Sequence, residues 1–147
     1  YKKNTKVNNN LLKFLKKFNC PILEFSFEES EFTKAMINIY LASQITTTNF
    51  LNSTIKNFKT VSWEKIRIAI SLDKRIGKSH MNVPGHDGKY GFGGSCFPKD
   101  IQALIHFGNM KNIDLNVLKG AWKTNLEVRP EKDWEKLLGR AVVKDSE

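Results

Sequence analysis

The densest chemistry in this chain lies in ten consecutive residues, Gly91-Phe92-Gly93-Gly94-Ser95-Cys96-Phe97-Pro98-Lys99-Asp100. Three glycines in four positions let the backbone take positive φ and approach another group closely, at an entropic cost a plain surface loop need not bear. Pro98 suits the first turn of a helix, and Ile101 to Phe107 reads as its apolar continuation. Cys96 then stands at a helix mouth, where the dipole and nearby Lys99 favour the thiolate. That arrangement would present a nucleophile. A lone cysteine is more often a small buried hydrophobe, so the whole decapeptide carries this reading, not Cys96 alone.

Other polar residues stand out by position. Lys34 and Asn38 interrupt an otherwise apolar helical stretch; being four apart they share a face, with Glu31 one turn earlier. Read alone, they are an ordinary Glu–Lys pair and a satisfied asparagine. Arg75, in Asp73-Lys74-Arg75-Ile76-Gly77, offers a planar fork of donors suited to phosphate or hydroxyl groups. His80 and His86 lack the carboxylate or cysteine cluster that a metal site needs, and no metal is expected.

The elements that must position these groups are mostly helical. Residues 8 to 19 carry Leu11, Leu12, Phe14, Leu15 and Phe18 with lysines between, a short amphipathic helix stopped by Pro21. Ile22 to Phe25 is brief and apolar enough for a strand. Between Pro21 and Gly77 there is neither glycine nor proline, which demands long unbroken structure. Ser26 and Glu29 have capping-box spacing, so a helix begins near Phe27 or Glu28 and runs to about Phe58, some 45 Å. Its first half is apolar on nearly every side, so it is buried, and in a small chain that suggests a subunit interface. Ser62 caps a second helix ending near Asp73. Residues 78 to 90 form a loop with turn signals at Pro84-Gly85 and Asp87-Gly88. The helix after Cys96 ends at Gly108, Asp114 caps the next, Pro130 stops it, and 131 to 138 form a last short helix.

The chain has 147 residues with 40% hydrophobic content, enough for one cored domain. No apolar run approaches a membrane span, and no signal-peptide pattern is present. Cys20 and Cys96 form neither a metal-ligand spacing nor a disulfide framework, so a reducing cytoplasm is the expected location. Net charge is +9, from 24 basic and 15 acidic residues. This favours anionic partners, whether nucleic acid, membrane surface or a phosphate-bearing metabolite. No zinc finger, RNP-type aromatic pair or basic zipper region supports nucleic acid among these.

The decapeptide resembles the catalytic-cysteine motif of the UDP-glucose/GDP-mannose dehydrogenase family, Gly-x-Gly-Gly-x-Cys-x-Pro-Lys-Asp. Glu31-x-x-Lys34-x-x-x-Asn38-x-Tyr40-Leu41-Ala42 is similar to that family's central-helix motif, and Arg75-Ile76-Gly77 to its Arg-Ile-Gly segment. The resemblance covers roughly residues 9 to 139. It implies a mainly α fold in which a long central helix and packed helices form a dimerisation domain. Residues 1–27, with their short strand, would be the remnant of a dinucleotide-binding domain, 28–139 the helical domain, and 140–147 a tail or linker. The chain begins at Tyr1 and has no Gly-x-Gly-x-x-Gly after a strand, so it is expected to be a fragment with little or no turnover of its own.

The activity so implied is NAD-dependent oxidation of a nucleotide sugar's 6-hydroxyl to a carboxylate, UDP-glucose to UDP-glucuronate foremost. Cys96 would attack the C6 aldehyde, giving a thiohemiacetal and then a thioester that water hydrolyses. Lys34 would stabilise the oxyanion, Asn38 would hold the oxyanion or a water, and Asp100 would position water or Lys34 and assist proton transfer. Phe92, Gly93 and Gly94 would meet the sugar, and Arg75 would reach the nucleotide sugar of the partner in a homodimer. Lys99 would touch NAD, bound mainly by another domain. The 78–90 loop is longer than the family's pattern, and no substrate contact carries over onto it. Two other readings compete, a helical dimerisation module without chemistry and a basic nucleic-acid-binding domain; neither nucleic acid nor membrane is the expected partner.

Overall fold

Ser26 and Glu29 close a reciprocal capping box: the Glu29 N–H donates to Ser26 Oγ at 3.1 Å, and the Ser26 N–H donates to a Glu29 carboxylate oxygen at 2.7 Å. Two orphan amides are satisfied at once, and the longest helix starts there. The structure is a computed structural model describing residues 9–140. Its helices are α1 (Asn9–Leu15), α2 (Phe27–Ile55), α3 (Trp63–Ser71), α4 (Cys96–Met110) and α5 (Asn116–Val128), with 3₁₀ turns at Lys16–Phe18 and Asp133–Lys136. Two compact units divide the chain, Tyr1–Phe32 and Thr33–Glu147.

Among the described residues there is no strand, and the mainly α architecture expected from the sequence is the one observed. The strand expected at Ile22–Phe25 does not form. Four residues cannot hold a strand without a neighbouring one to take their backbone groups, and among the described residues none is present to pair with them. In the first unit, α1 runs on through the 3₁₀ turn, whose last N–H bond is made by Asn19 in the left-handed region.

The second unit contains the core. Ala42 of α2, Phe92, Ile101 of α4 and Leu118 of α5 are buried together, with Ile45, Phe97 and Trp122 packed around them. The β-branched run at 46 to 48 stays helical because each threonine hydroxyl donates to a carbonyl of its own helix, at 2.9–3.0 Å. Within the single chain the apolar first half of α2 is covered on part of its surface only: Met36, Ile37 and Tyr40 are exposed. A single helix can turn only one face to a small core, so the remaining apolar faces are left in solvent.

Three boundaries differ from the sequence reading. Gly108 lies inside α4 rather than ending it. Its missing side chain lets α4 press against Leu115, whose Cδ1 would stand 2.5 Å from an added Cβ. Asp114 does not cap α5; its carboxylate accepts from the Asn116 side chain at 2.7 Å, and the cap position falls on Leu115. The last helix is only the 3₁₀ turn Asp133–Lys136. Gly108→Ala is therefore expected to lower unfolding free energy by ~1 kcal/mol in urea titrations, overpacking against Leu115 outweighing the helix-propensity gain of ~1 kcal/mol.

Candidate functional site

α4 begins at Cys96, which is exposed, with Ser95 as its N-cap. The Ser95 side chain makes no cap bond; its Oγ stands 3.9 Å from Cys96 Sγ. Four residues on, and hence on the same face of α4, Asp100 is only 5% exposed. Lys34 Nζ and Asn38 Nδ2, both from α2, donate to its Oδ2 at 2.7 and 2.6 Å. Lys99 Nζ donates to Oδ1 at 2.5 Å. The two residues that looked like an ordinary surface pattern on α2 thus meet the aspartate of the decapeptide.

The electrostatics follow from those partners. Burial pushes the Asp100 carboxyl up, but the hydrogen bonds from Lys34, Lys99 and Asn38 and the charge of Lys99 outweigh it and hold the group down at about 2. Asp100 is therefore an acceptor at neutral pH, not an acid. Lys34 and Lys99 both donate to this one carboxylate beside the start of α4. Such a group can receive a developing oxyanion.

The glycine turn that delivers Cys96 is held by side chains the motif did not reveal. Asn49, buried on α2, accepts from the Gly91 N–H at 3.2 Å. Asn125, fully buried on α5, grips Phe92 on both sides: its Oδ1 accepts from the Phe92 N–H at 2.7 Å and its Nδ2 donates to the Phe92 carbonyl at 2.9 Å. Beyond α5, Arg129 is 2% exposed. Asn49, Asn125 and Arg129 are single polar residues in helical stretches, and nothing in their spacing sets them apart from surface residues.

Gly91 needs to be glycine for two reasons. Its φ is +67°, and an added Cβ would strike Asn125 Oδ1 and touch Val128. We expect Gly91→Ala to cost about 2–4 kcal/mol in thermal or urea unfolding, combining left-handed strain with a clash at a buried amide.

The other candidate residues are more dispersed. The Phe92 side chain is 2% exposed and packs on Phe97 and Trp122, so it is core. Phe92, Gly93 and Gly94 line a cavity of about 550 Å³ together with the 78–90 loop, through Lys78, Ser79, His80, Asn82 and His86. Phe97 lines it too, whereas Cys96, Lys34, Asn38 and Asp100 are not in its wall. Arg75 is at the surface, its guanidinium paired with Asp73 at 2.6 Å. Gln44 of α2 anchors the start of the loop by donating to the Gly77 and Ser79 carbonyls.

A dinucleotide is commonly held where a strand runs through a glycine-rich turn into a helix, and no such unit is present among the described residues. Lys99, the residue expected to touch NAD, has an exposed side chain whose ammonium donates to Asp100.

Residues 28–127 match the model of the UDP-glucose/GDP-mannose dehydrogenase family, central domain. The chain is 34% identical over 118 residues to a UDP-glucose 6-dehydrogenase of Campylobacter jejuni, covering 80% of this chain and 28% of that protein. It is 33% identical over 114 residues to the UDP-glucose 6-dehydrogenase AglM of Haloferax volcanii, covering 78% and 25%. A solved UDP-glucose dehydrogenase from Pyrobaculum islandicum superposes with a TM-score of 0.68 at 31% identity, over 82% of this chain and 27% of that one. The chain spans about a quarter of the length of these relatives. A helical unit with this lysine–asparagine–aspartate cluster behind an exposed cysteine, matched along 28–127, belongs to the UDP-glucose/GDP-mannose dehydrogenase family and corresponds to its central domain.

Proposed function

We propose that this chain is the cysteine-bearing part of an NAD-dependent nucleotide-sugar 6-dehydrogenase, with UDP-glucose as substrate and UDP-glucuronate as product. The observation that carries the reading is Asp100, buried and gripped by Lys34 and Asn38, one helical turn from the exposed Cys96. Cys96 Sγ adds to the C6 aldehyde carbon; its electron pair forms the S–C bond and the carbonyl oxygen takes up the charge. Lys34 and Asn38, held in place by Asp100, stabilise that oxygen. The hydride acceptor for both oxidations is NAD, bound chiefly by a part of the protein other than these residues. Water then hydrolyses the thioester and frees Cys96.

The sugar is met at the glycine turn. The N–H groups of Gly91 and Phe92 are already used by Asn49 and Asn125, and that of Gly94 by Asp133, so Gly93, on the cavity wall, is the backbone position of the turn left to approach it. The exposed Met36, Ile37 and Tyr40 of α2 favour a homodimer through this helix, in which Arg75 of each copy serves the other's substrate. A reducing compartment such as the cytoplasm suits a thiol nucleophile. No helix is long and apolar enough to cross a membrane among the described residues.

The test is turnover. A protein carrying this chain together with a dinucleotide-binding domain is expected to reduce NAD with UDP-glucose and release the 6-carboxylate. The 147-residue chain alone is expected to give little or none. Robust NAD reduction by the chain alone, or none by the complete protein with any nucleotide sugar, would sink this reading.

A further inference from the structure

One buried cation ties together the two walls of the cavity. Arg129 donates from Nε and Nη2 to the two carboxylate oxygens of Asp133, at 2.7 and 3.0 Å. Nη2 also donates to Asp87 at 2.7 Å, and Nη1 to the Tyr90 carbonyl at 3.4 Å. Asp87 belongs to the 78–90 loop, and Tyr90 immediately precedes the glycine turn. An added Cβ on Gly93 would come within 2.5 Å of Nη2 and 2.6 Å of Asp133 Oδ1, so the turn lies flat against the ion-paired guanidinium.

A buried ion pair of this kind is weak evidence for stability as such, since its desolvation offsets much of its attraction. What a guanidinium supplies that an apolar side chain does not is a rigid planar fork, which fixes several acceptors in one geometry. Here those acceptors sit on the loop, at Asp87 and Tyr90, and after α5, at Asp133; Asp133 in turn accepts from the Gly94 N–H, which ties the glycine turn to the same guanidinium. None of these bonds of Arg129 reaches Cys96, Lys34, Asn38 or Asp100.

We propose that Arg129 is a positioning residue that latches the 78–90 loop to the glycine turn and so fixes how Cys96 is presented at the start of α4. The inference rests on the reading of Cys96 as nucleophile, and it concerns the thiol before any substrate binds. With the latch gone, the turn feeding α4 loosens, its first residue frays, and Sγ is no longer held in one place at the start of the helix.

The test uses the chain with Cys20→Ser, which leaves Cys96 as its sole cysteine. The readout is the second-order rate of iodoacetamide alkylation between pH 5 and 10, with folding checked by circular dichroism. Arg129→Met is expected to slow the rate at pH 7 by about fivefold or more, since small displacements of a reacting group carry large rate penalties. Gly108→Ala, at the far end of α4, controls for general destabilisation and is expected to stay within about twofold of the parent, fraying there being local. An Arg129→Met rate within twofold of the parent, or above it, overturns the proposal. Should that variant fail to fold, Arg129→Lys keeps the charge without the fork: a fall of about threefold supports the latch, and no fall overturns it. No nucleotide sugar or NAD enters this assay, so a failed turnover test would sink the dehydrogenase reading while leaving the latch result intact.

Discussion

Cys96→Ala is expected to cut formation of the 6-carboxylate by ~10⁴-fold or more in a complete enzyme built on this chain, the scale of loss when a covalent nucleophile is removed. The substitution takes away only the thiol. Cys96 is exposed, so the variant leaves no cavity in the core and should melt within about a degree or two of the parent, as surface changes usually do. Alanine keeps the helical start of α4, and the bonds that join Lys34 and Asn38 to Asp100 do not involve the thiol. Binding of UDP-glucose should therefore survive. Carboxylate formation, followed by chromatography of the nucleotide sugars, separates this from an indirect effect. Unchanged carboxylate production would show that Cys96 is not the nucleophile, whatever the family likeness. The non-catalytic dimerisation module would then be the better account.

How much of this was legible beforehand depends on the kind of residue. The start of α2 could be read because Ser26 and Glu29 encode it locally, through two hydrogen bonds three residues apart. The helix from Cys96 could be read because proline and the apolar spacing after it are local signals too. The strand at 22–25 could not be judged, since a strand depends on a neighbour the segment itself does not specify. Gly108 looked like a stop because glycine commonly is one; only its contact with Leu115 explains why it is inside the helix. Within the site, Lys34 and Asn38 were picked out by a resemblance, and their common partner, Asp100, lies more than sixty residues away. Asn49, Asn125 and Arg129 were missed for the same reason: each acts on backbone or charge brought near only by folding.

Asp100→Asn should be the second most damaging change. The carboxylate uses both oxygens as acceptors, Oδ2 for Lys34 and Asn38 and Oδ1 for Lys99. An amide of the same shape keeps one acceptor and turns a donor toward either a lysine ammonium or the Asn38 amide. Whichever way it flips, one donor faces another at a nearly buried site, and Lys34 loses the anion that orients it. Turnover in a complete enzyme should fall by about 10²-fold or more, the scale of losing one oxyanion donor, while Cys96 remains open to alkylation. The same variant carries a pH signature. Because the folded pKa of Asp100 is about 2, below its ordinary 3.8, the ionised form favours the native state. That contribution is fully present above about pH 4 and is lost as pH falls through about 2. A depression of this size corresponds to ~2 kcal/mol. Unfolding of the parent should thus show an acid-dependent loss of that order between about pH 4 and 2, which Asp100→Asn lacks because an amide does not titrate. Parallel stability curves for the two proteins across that interval would mean that Lys34, Asn38 and Lys99 do not hold the carboxylate as the geometry implies. The oxyanion role assigned to Lys34 would then lose its anchor.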